Sequence, residues 1–431
     1  MNNTYLNFIN YLLENNDGLK KIYSFLPKFK GKHIVTFCHD DPDGVTSGIL
    51  FKRLTDKLGI KNTLFFPYKF PLSKQEVENV KTSLSDTEVL FIIDKGTIDE
   101  YNDFIKFYPE VVVIDHHPKI GTKFDNITVF NPALQTYVRT SGSFLVHIIS
   151  TLFNNTNMYD DFICLIGMKC DWAIDPLNND IPEFVSTFYN ERILPRFSWL
   201  VEKNYSLRPT MFDIKNKDFS CLLNQIGELF FAITGGGFQY FYNSYNEKLK
   251  DIDQPKFCFE NFVNEIKIKK VSSIDEFIDT LPNKEIIRLI YNYFLSDWTK
   301  VEQQFDNQTF LAKQIDNIKI FFFFGKKIKL MPMVGSKKLY EYAKGSDAAI
   351  IMYNFENEDS LHISFRGTTD KIHLGKIASS LADKSNVYFG ENTSSGGGHP
   401  LAAECKIKTK NLDFLFIIKE LISLLEQHKW K

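Results

Sequence analysis

Residues 111–118 read VVVIDHHP: four β-branched residues, one acid, two histidines and a proline. The apolar run is continuous rather than alternating, as expected of a parallel strand covered on both faces. Two runs of the same kind lie upstream, HIVTFC (33–38) and VLFII (89–93). Helical patterns separate them, over Ser47 to Leu58 and Tyr101 to Tyr108. Strand–helix–strand repetition predicts an α/β domain with a doubly wound, mostly parallel sheet.

Each run ends in carboxylates. The first leads into His39-Asp40-Asp41-Pro42-Asp43-Gly44, the second into Asp94, and the third into Asp115-His116-His117. The carboxyl edge of such a sheet is where ligands bind. Acids gathered there repel one another and raise one another's pKa unless a cation neutralises them. One acid after a strand reads as a helix cap; three, two of them with histidines attached, read as a metal site. The mixed set of histidine and aspartate favours Mn²⁺ or Mg²⁺ over Zn²⁺. It suffices for two ions bridged by one carboxylate, the arrangement that serves phosphoryl displacement. Alternation turns Asp40 away from Asp41 and Asp43, so Asp40 reads as a bystander. Gly44 lets the chain turn sharply and the following helix approach closely.

These residues together resemble the DHH phosphoesterase superfamily. Asp115-His116-His117 looks like its signature, and His39, Asp41, Asp43 and Gly44 resemble its first motif. Asp94 matches the second motif. Asp171, after the apolar FICLIGMKC, matches the fourth. Gly396-Gly397-Gly398-His399-Pro400 resembles the GGGH motif of the DHHA1 domain that accompanies many members, the RecJ-like exonucleases and oligoribonucleases among them. The resemblance implies one metal held by His39, Asp41 and Asp94. A second would be held by Asp43, Asp94, His116 and Asp171, with Asp94 as the bridge. His117 would face the scissile phosphate, and Asp115 would orient the histidines. Residues 131–142 (NPALQTYVRTSG) resemble the segment that approaches substrate, with Arg139 and Ser141 as contacts. Arg366, after the strand-like LHISF, resembles the arginine that grips a substrate phosphate through a bidentate fork. Gly396, Gly397 and Gly398 would let backbone N–H groups converge on that anion as a loop, with His399 adding a donor.

Two departures stand out. Lys95 follows Asp94 where a smaller or uncharged residue is common, and this is expected to alter the field of the site. The chain closes soon after the glycine motif, so it is expected to lack the OB-like domain that bacterial RecJ exonucleases place behind this core.

The rest of the sequence sets boundaries on these readings. Phe 41, Tyr 19 and Trp 4 exclude a disordered chain. A net charge of −2 argues against a protein that coats duplex DNA, which would need many free cations. It leaves short or single-stranded nucleic acid open. The six cysteines are scattered and read as free thiols in a reducing cytoplasm. Ile318 to Phe324 falls well short of the roughly 20 residues of a membrane span. The organisation expected is an N-terminal helix (1–30), a DHH catalytic domain (31–195), a proline-punctuated helical connector (196–310) and a smaller α/β DHHA1 domain (311–431). Within the connector, Gly235-Gly236-Gly237 reads as a turn.

The leading expectation is a Mn²⁺-dependent phosphodiesterase that shortens single-stranded DNA or short RNA from an end and releases nucleoside 5′-monophosphates. Tyr137, Trp172 and Phe365 are candidates for stacking bases. The protein would be a monomer or homodimer with no membrane attachment. One alternative is a phosphodiesterase for cyclic dinucleotides or another small nucleotide. A second, of a different class, is a catalytically silent scaffold in a replication or repair complex.

Overall fold

The computed structural model describes residues 4–69, 71–235 and 247–427. Two compact units divide the chain: Met1–Thr210 with Asp218–Tyr291, and Met211–Lys217 with Asn292–Lys431.

In the first unit, helices α1 (Thr4–Asn15) and α2 (Asp17–Phe25) precede strand β1 (His33–Cys38). Then come α3 (Pro42–Lys57), β2 (Lys61–Phe65), α4 (Lys74–Ser83) and β3 (Val89–Ile93). A 3₁₀ segment, Asp99–Lys106, leads to β4 (Glu110–Ile114) and β5 (Thr128–Phe130). The strands form one sheet in the order β2-β1-β3-β4-β5, parallel throughout. The order reverses beside β1, so β1 and β3 flank a switch point.

Both faces are covered, which is why the strands read as unbroken apolar runs. Val35, Phe37, Leu90, Ile92, Val111 and Val113 pack with Val77 of α4 and Tyr101 and Phe104 of the 3₁₀ segment. On the other face the Phe91 ring lies 4.7 Å from Phe51 of α3 and 6.5 Å from Phe25 of α2. Behind α3 pack α5 (Gly142–Leu152) and α6 (Met158–Cys170). The expected helix at Tyr101 to Tyr108 is thus a 3₁₀ segment that starts two residues earlier. The short strands β2 and β5 carry too few apolar residues to stand out in the sequence.

The stretch after residue 181 is mostly helical: α7 (Glu183–Phe188) and α8 (Leu194–Val201), a non-helical loop closed by the Asn204–Ser220 bridge, α9 (Leu222–Thr234), and then shorter helices up to the long helix Lys284–Gln308. Gly235 is left-handed (φ 78°) and ends α9. Gly236 and Gly237 lie outside the described residues.

The second unit is built on a six-stranded mixed sheet in the order β10-β11-β9-β8-β7-β6. Its strands are β6 (Phe310–Ile315), β7 (Ile318–Lys326), β8 (Ala348–Asn357), β9 (Ser360–Gly367), β10 (Ser394–Gly398) and β11 (Ala402–Lys408). Only β7 and β8 pair in parallel. One face packs Ile320, Ile351, Ile363 and Phe365 against Ile377 and Leu381 of the helix Leu374–Phe389 and Leu421 of the helix Phe414–Gln427. Among the described residues, no helix is long and apolar enough to cross a membrane.

Candidate metal centre

The site is assembled where β1, β3 and β4 end. Backbone bonds carry the ladder one step further, from His39 N–H to Ile93 O (3.2 Å), from Asp94 N–H to Ile114 O (2.9 Å) and from Asp115 N–H to Phe130 O (3.1 Å). The three acidic ends therefore sit in register. Asp94 adopts φ 59°, a left-handed conformation that costs on the order of 1 kcal/mol or more for a residue with a Cβ.

Helix termini place the remaining groups. Asp41 is the N-cap of α3 and accepts a bond from Gly44 N–H (2.9 Å). A Cβ on Gly44 would lie 2.4 Å from both the carbonyl oxygen and the Cβ of His39, so the glycine is what lets α3 begin here. Asp43 accepts from Gly142 N–H (2.6 Å) and Ser143 N–H (3.1 Å) at the start of α5. Asp171 is the C-cap of α6.

Three overlapping groups result: His39, Asp41 and Asp94; Asp43, His116 and Asp171; Asp94, His116 and His117. Within each, the ligand atoms lie within 4.8 Å of one another. Asp94 stands between the first two sets. Its Oδ2 is 3.9 Å from His39 Nδ1, and its Oδ1 is 3.1 Å from His116 Nε2. His39 Nδ1 is also 3.0 Å from Asp41 Oδ2, and His116 Nε2 is 3.5 Å from Asp171 Oδ2.

Electrostatics agree with a cation-binding role. Burial, reinforced by the charges of Asp43 and Asp41, pushes the Asp94 carboxyl well above the usual range. Burial does the same for Asp171 and, less strongly, for Asp43, although His116 opposes it in both. Burial works against the charged form of His39, but Asp41 and Asp94 outweigh it and raise its pKa. Asp94 Oδ1 and His116 Nε2 are buried and, although 3.1 Å apart, are not aligned to hydrogen-bond. Two buried ligand atoms without a hydrogen-bond partner, this close together, suit a divalent ion, so the residues fit the group the sequence calls for.

Asp115 belongs to none of the three groups. Its Oδ1 lies 2.9 Å from His117 Nδ1, and its Oδ2 accepts from Thr97 Oγ1 (2.8 Å). Burial alone would raise its pKa, but the two histidines and Thr97 hold it below the usual range. Asn131 was not singled out by the sequence. Its amide donates to Thr97 Oγ1 and to His117 O, both 2.8 Å, and so braces the turn that carries the histidines.

Two expected substrate contacts are occupied otherwise. Arg139 is paired in a fork with Asp180 (2.8 and 2.5 Å). Ser141 is fully buried as the N-cap of α5, accepting from Phe144 N–H (3.3 Å). A Ser-Gly before an apolar helix is a capping signal, and here that signal accounts for the serine. Of the aromatics considered for stacking, Phe365 is in the core of the second unit, whereas Tyr137 and Trp172 are 71% and 38% exposed.

In the second unit, the glycine motif is a strand and not a loop. Gly396, Gly397 and Gly398 lie in β10, at the sheet edge, paired antiparallel with β11. A Cβ at Gly396 would meet Ala378 O at 2.3 Å, so the glycine admits the helix Leu374–Phe389. His399 N–H donates to Ala402 O (2.8 Å) in the turn that follows. Arg366 sits opposite Ala402 in β9, toward the same end of the sheet as Gly398. Burial pulls its pKa down, opposed by Glu404, and Nη1 donates to Phe365 O (2.8 Å).

The sequence model of the DHHA1 domain matches residues 335–427. No curated protein matches the sequence. Among solved structures, a DHH domain described as belonging to a member of a family of ribosomal proteins superposes with a TM-score of 0.67 at 14% identity, over 97% of this chain and 92% of that one. Exonuclease RecJ bound to manganese gives 0.56 at 14% identity, over 96% and 94%. RecJ of Thermus thermophilus in complex with Mn²⁺ gives 0.57 at 15% identity; 95% of this chain aligns with 54% of that one.

Proposed function

We infer that this chain, which has the DHH fold and carries a C-terminal DHHA1 domain, is a metal-dependent phosphodiesterase that trims single-stranded DNA or short RNA from an end, releasing nucleoside 5′-monophosphates. The observation that carries this reading is the placement of Asp94, with one oxygen toward the His39–Asp41 set and the other toward the Asp43–His116–Asp171 set. A scaffold has no use for two complete ligand sets that share a strained, buried carboxylate.

When bound, two Mn²⁺ or Mg²⁺ ions would activate a water and offset the charge that develops on the transferred phosphoryl group. His39, Asp41 and Asp94 would hold one; Asp43, Asp94, His116 and Asp171 the other. His117, half-exposed and tethered by Asp115, is placed to donate a proton or hydrogen bond to a phosphate oxygen. Burial opposes its charged form, but Asp115 and the nearby acids Asp94 and Asp171 outweigh it and raise its pKa well above the ordinary imidazole value. Arg366 and the β10 edge would take a substrate phosphate, and Tyr137 and Trp172 offer faces for bases. RecJ structures with Mn²⁺ or Mg²⁺ support the choice of ions.

The test is a Mn²⁺ assay series with 5′-phosphorylated RNA and DNA ladders and cyclic dinucleotides. Stepwise shortening of the ladders to mononucleotides is expected. Turnover of cyclic dinucleotides with intact ladders would replace this substrate class by the small-nucleotide one.

A further inference from the structure

Helix α6 ends at Asp171 in a paired turn. Trp172 N–H donates to Lys169 O (3.1 Å), and Ala173 N–H donates to Met168 O (2.9 Å). In a helix end of this kind the residue after the cap is left-handed, so glycine or asparagine ordinarily stands there. Here it is a tryptophan, at φ 56°. A bulky side chain is costly in that conformation, and such an outlier beside a candidate metal ligand points to a use for the side chain. The ring is braced from within. The buried Lys169 ammonium lies 5.6 Å from the indole centroid and 3.7 Å from Asp175 Oδ1. A cation over the ring holds it through the quadrupole of the π-system. Trp172 is nevertheless 38% exposed, so a large part of the indole can be covered by a ligand.

The loop that carries the tryptophan is fastened as well. Asp175 and Asp180 exchange backbone bonds, Asp175 N–H to Asp180 O (2.8 Å) and Asp180 N–H to Asp175 O (3.0 Å), and the Asp180 carboxylate takes the Arg139 fork. That ion pair ties the loop after Asp171 to the segment of Tyr137. We propose that Trp172 is the platform on which the base of the nucleotide at the metals stacks. This rests on the reading of the site as one that handles nucleotides. Every base offers a π-face, so such a platform selects for the presence of a base and not for its identity. It favours nucleotides over phosphoesters that carry no base, such as sugar phosphates or polyphosphate.

The test compares adenosine 5′-monophosphate with ribose 5-phosphate, which lacks the base, on full-length protein in Mn²⁺ by titration calorimetry. Wild type is expected to bind the nucleotide at least about tenfold more tightly. Glycine suits the left-handed position, so Trp172→Gly keeps the end of α6, and the preference should disappear. Trp172→Asn, which also tolerates that conformation, is the second variant and should behave alike. Trp172→Phe keeps a ring and should retain most of the preference. The nucleotide should also quench part of the wild-type tryptophan emission, and that part should be missing in Trp172→Gly. A folded Trp172→Gly or Trp172→Asn with the wild-type preference would overturn the platform, as would a wild type that binds both ligands equally. Either result leaves the exonuclease reading standing, because that reading is decided by the oligonucleotide ladders. Intact ladders together with a preference lost in Trp172→Gly would overturn the exonuclease reading and keep the platform.

Discussion

Asp94 is the residue on which the centre turns. It is 1% exposed, left-handed and crowded by like charges, and each oxygen faces a different ligand set. Replacing it with Asn keeps the shape and removes the bridge charge. Asp94→Asn is expected to lower kcat by at least about a hundredfold, since the developing charge would lose its compensation; steady-state kinetics on a 5′-phosphorylated oligonucleotide check it. Gly44 acts through space and not through charge. In Gly44→Ala the new methyl meets the His39 backbone, and the start of α3 must shift. A stability loss of about 2 kcal/mol is expected, measured by urea unfolding, together with weaker Mn²⁺ binding.

At the level of elements, one buried carboxylate away from the metal centre ties several helices together. Asp161 of α6 is fully buried. It faces His147 Nε2 of α5 (3.0 Å) and accepts from Arg192 Nε (3.1 Å) and from Arg196, in the segment between α7 and the middle of α8. His147 Nδ1 in turn meets the hydroxyl of Tyr5 in α1 (2.9 Å). Burial works to raise the Asp161 pKa, but His147 and Arg192 outweigh it and hold it below the usual value. A depressed folded pKa gives stability that is fully present above the unfolded carboxylate value, about 3.9, and is lost as pH falls through the folded one. Asp161→Asn is therefore expected to cost about 2–3 kcal/mol near neutral pH, at the low end for a buried pair because both arginines are partly exposed. The gap from wild type should narrow as the pH falls below 4. Urea midpoints of both proteins across pH 3 to 7 read this out.

For the whole molecule, the first unit gathers acids whose mutual repulsion works against folding unless a cation is present. Raised pKa values at Asp43, Asp94 and Asp171 mean that the folded protein binds protons there more tightly than the unfolded chain does. That contribution to stability is present at acid pH and is lost as pH rises through the folded values. Divalent ions held there would restore it, with protons as their competitors. Addition of Mn²⁺ at a hundred times its dissociation constant should stabilise the protein by about 2.7 kcal/mol per site occupied near pH 7. The increment should shrink steadily toward pH 5 and disappear with a chelator, as followed by thermal melts.

Much of this was legible along the chain. Continuous β-branched runs mark strands buried on both faces, and the chain itself fixes which acid follows each run. The three central strands, the parallel sheet and the strand-end acids and histidines His39, Asp41, Asp43, Asp94 and His116 are therefore written locally. Two things were not. Arg139 and Ser141 were read as substrate contacts, and the sequence does not show that Arg139 pairs with Asp180, 41 residues away, or that Ser141 caps α5. The glycines 396–398 have the composition of a loop, and only pairing with β11 makes them a strand. Periodicity and motif order depend on neighbours in sequence, so sequence alone determined the sheet and which acids and histidines stand at its strand ends. Which lone pair faces which partner depends on strand register and helix termini that meet only in three dimensions, and that the tertiary structure decided.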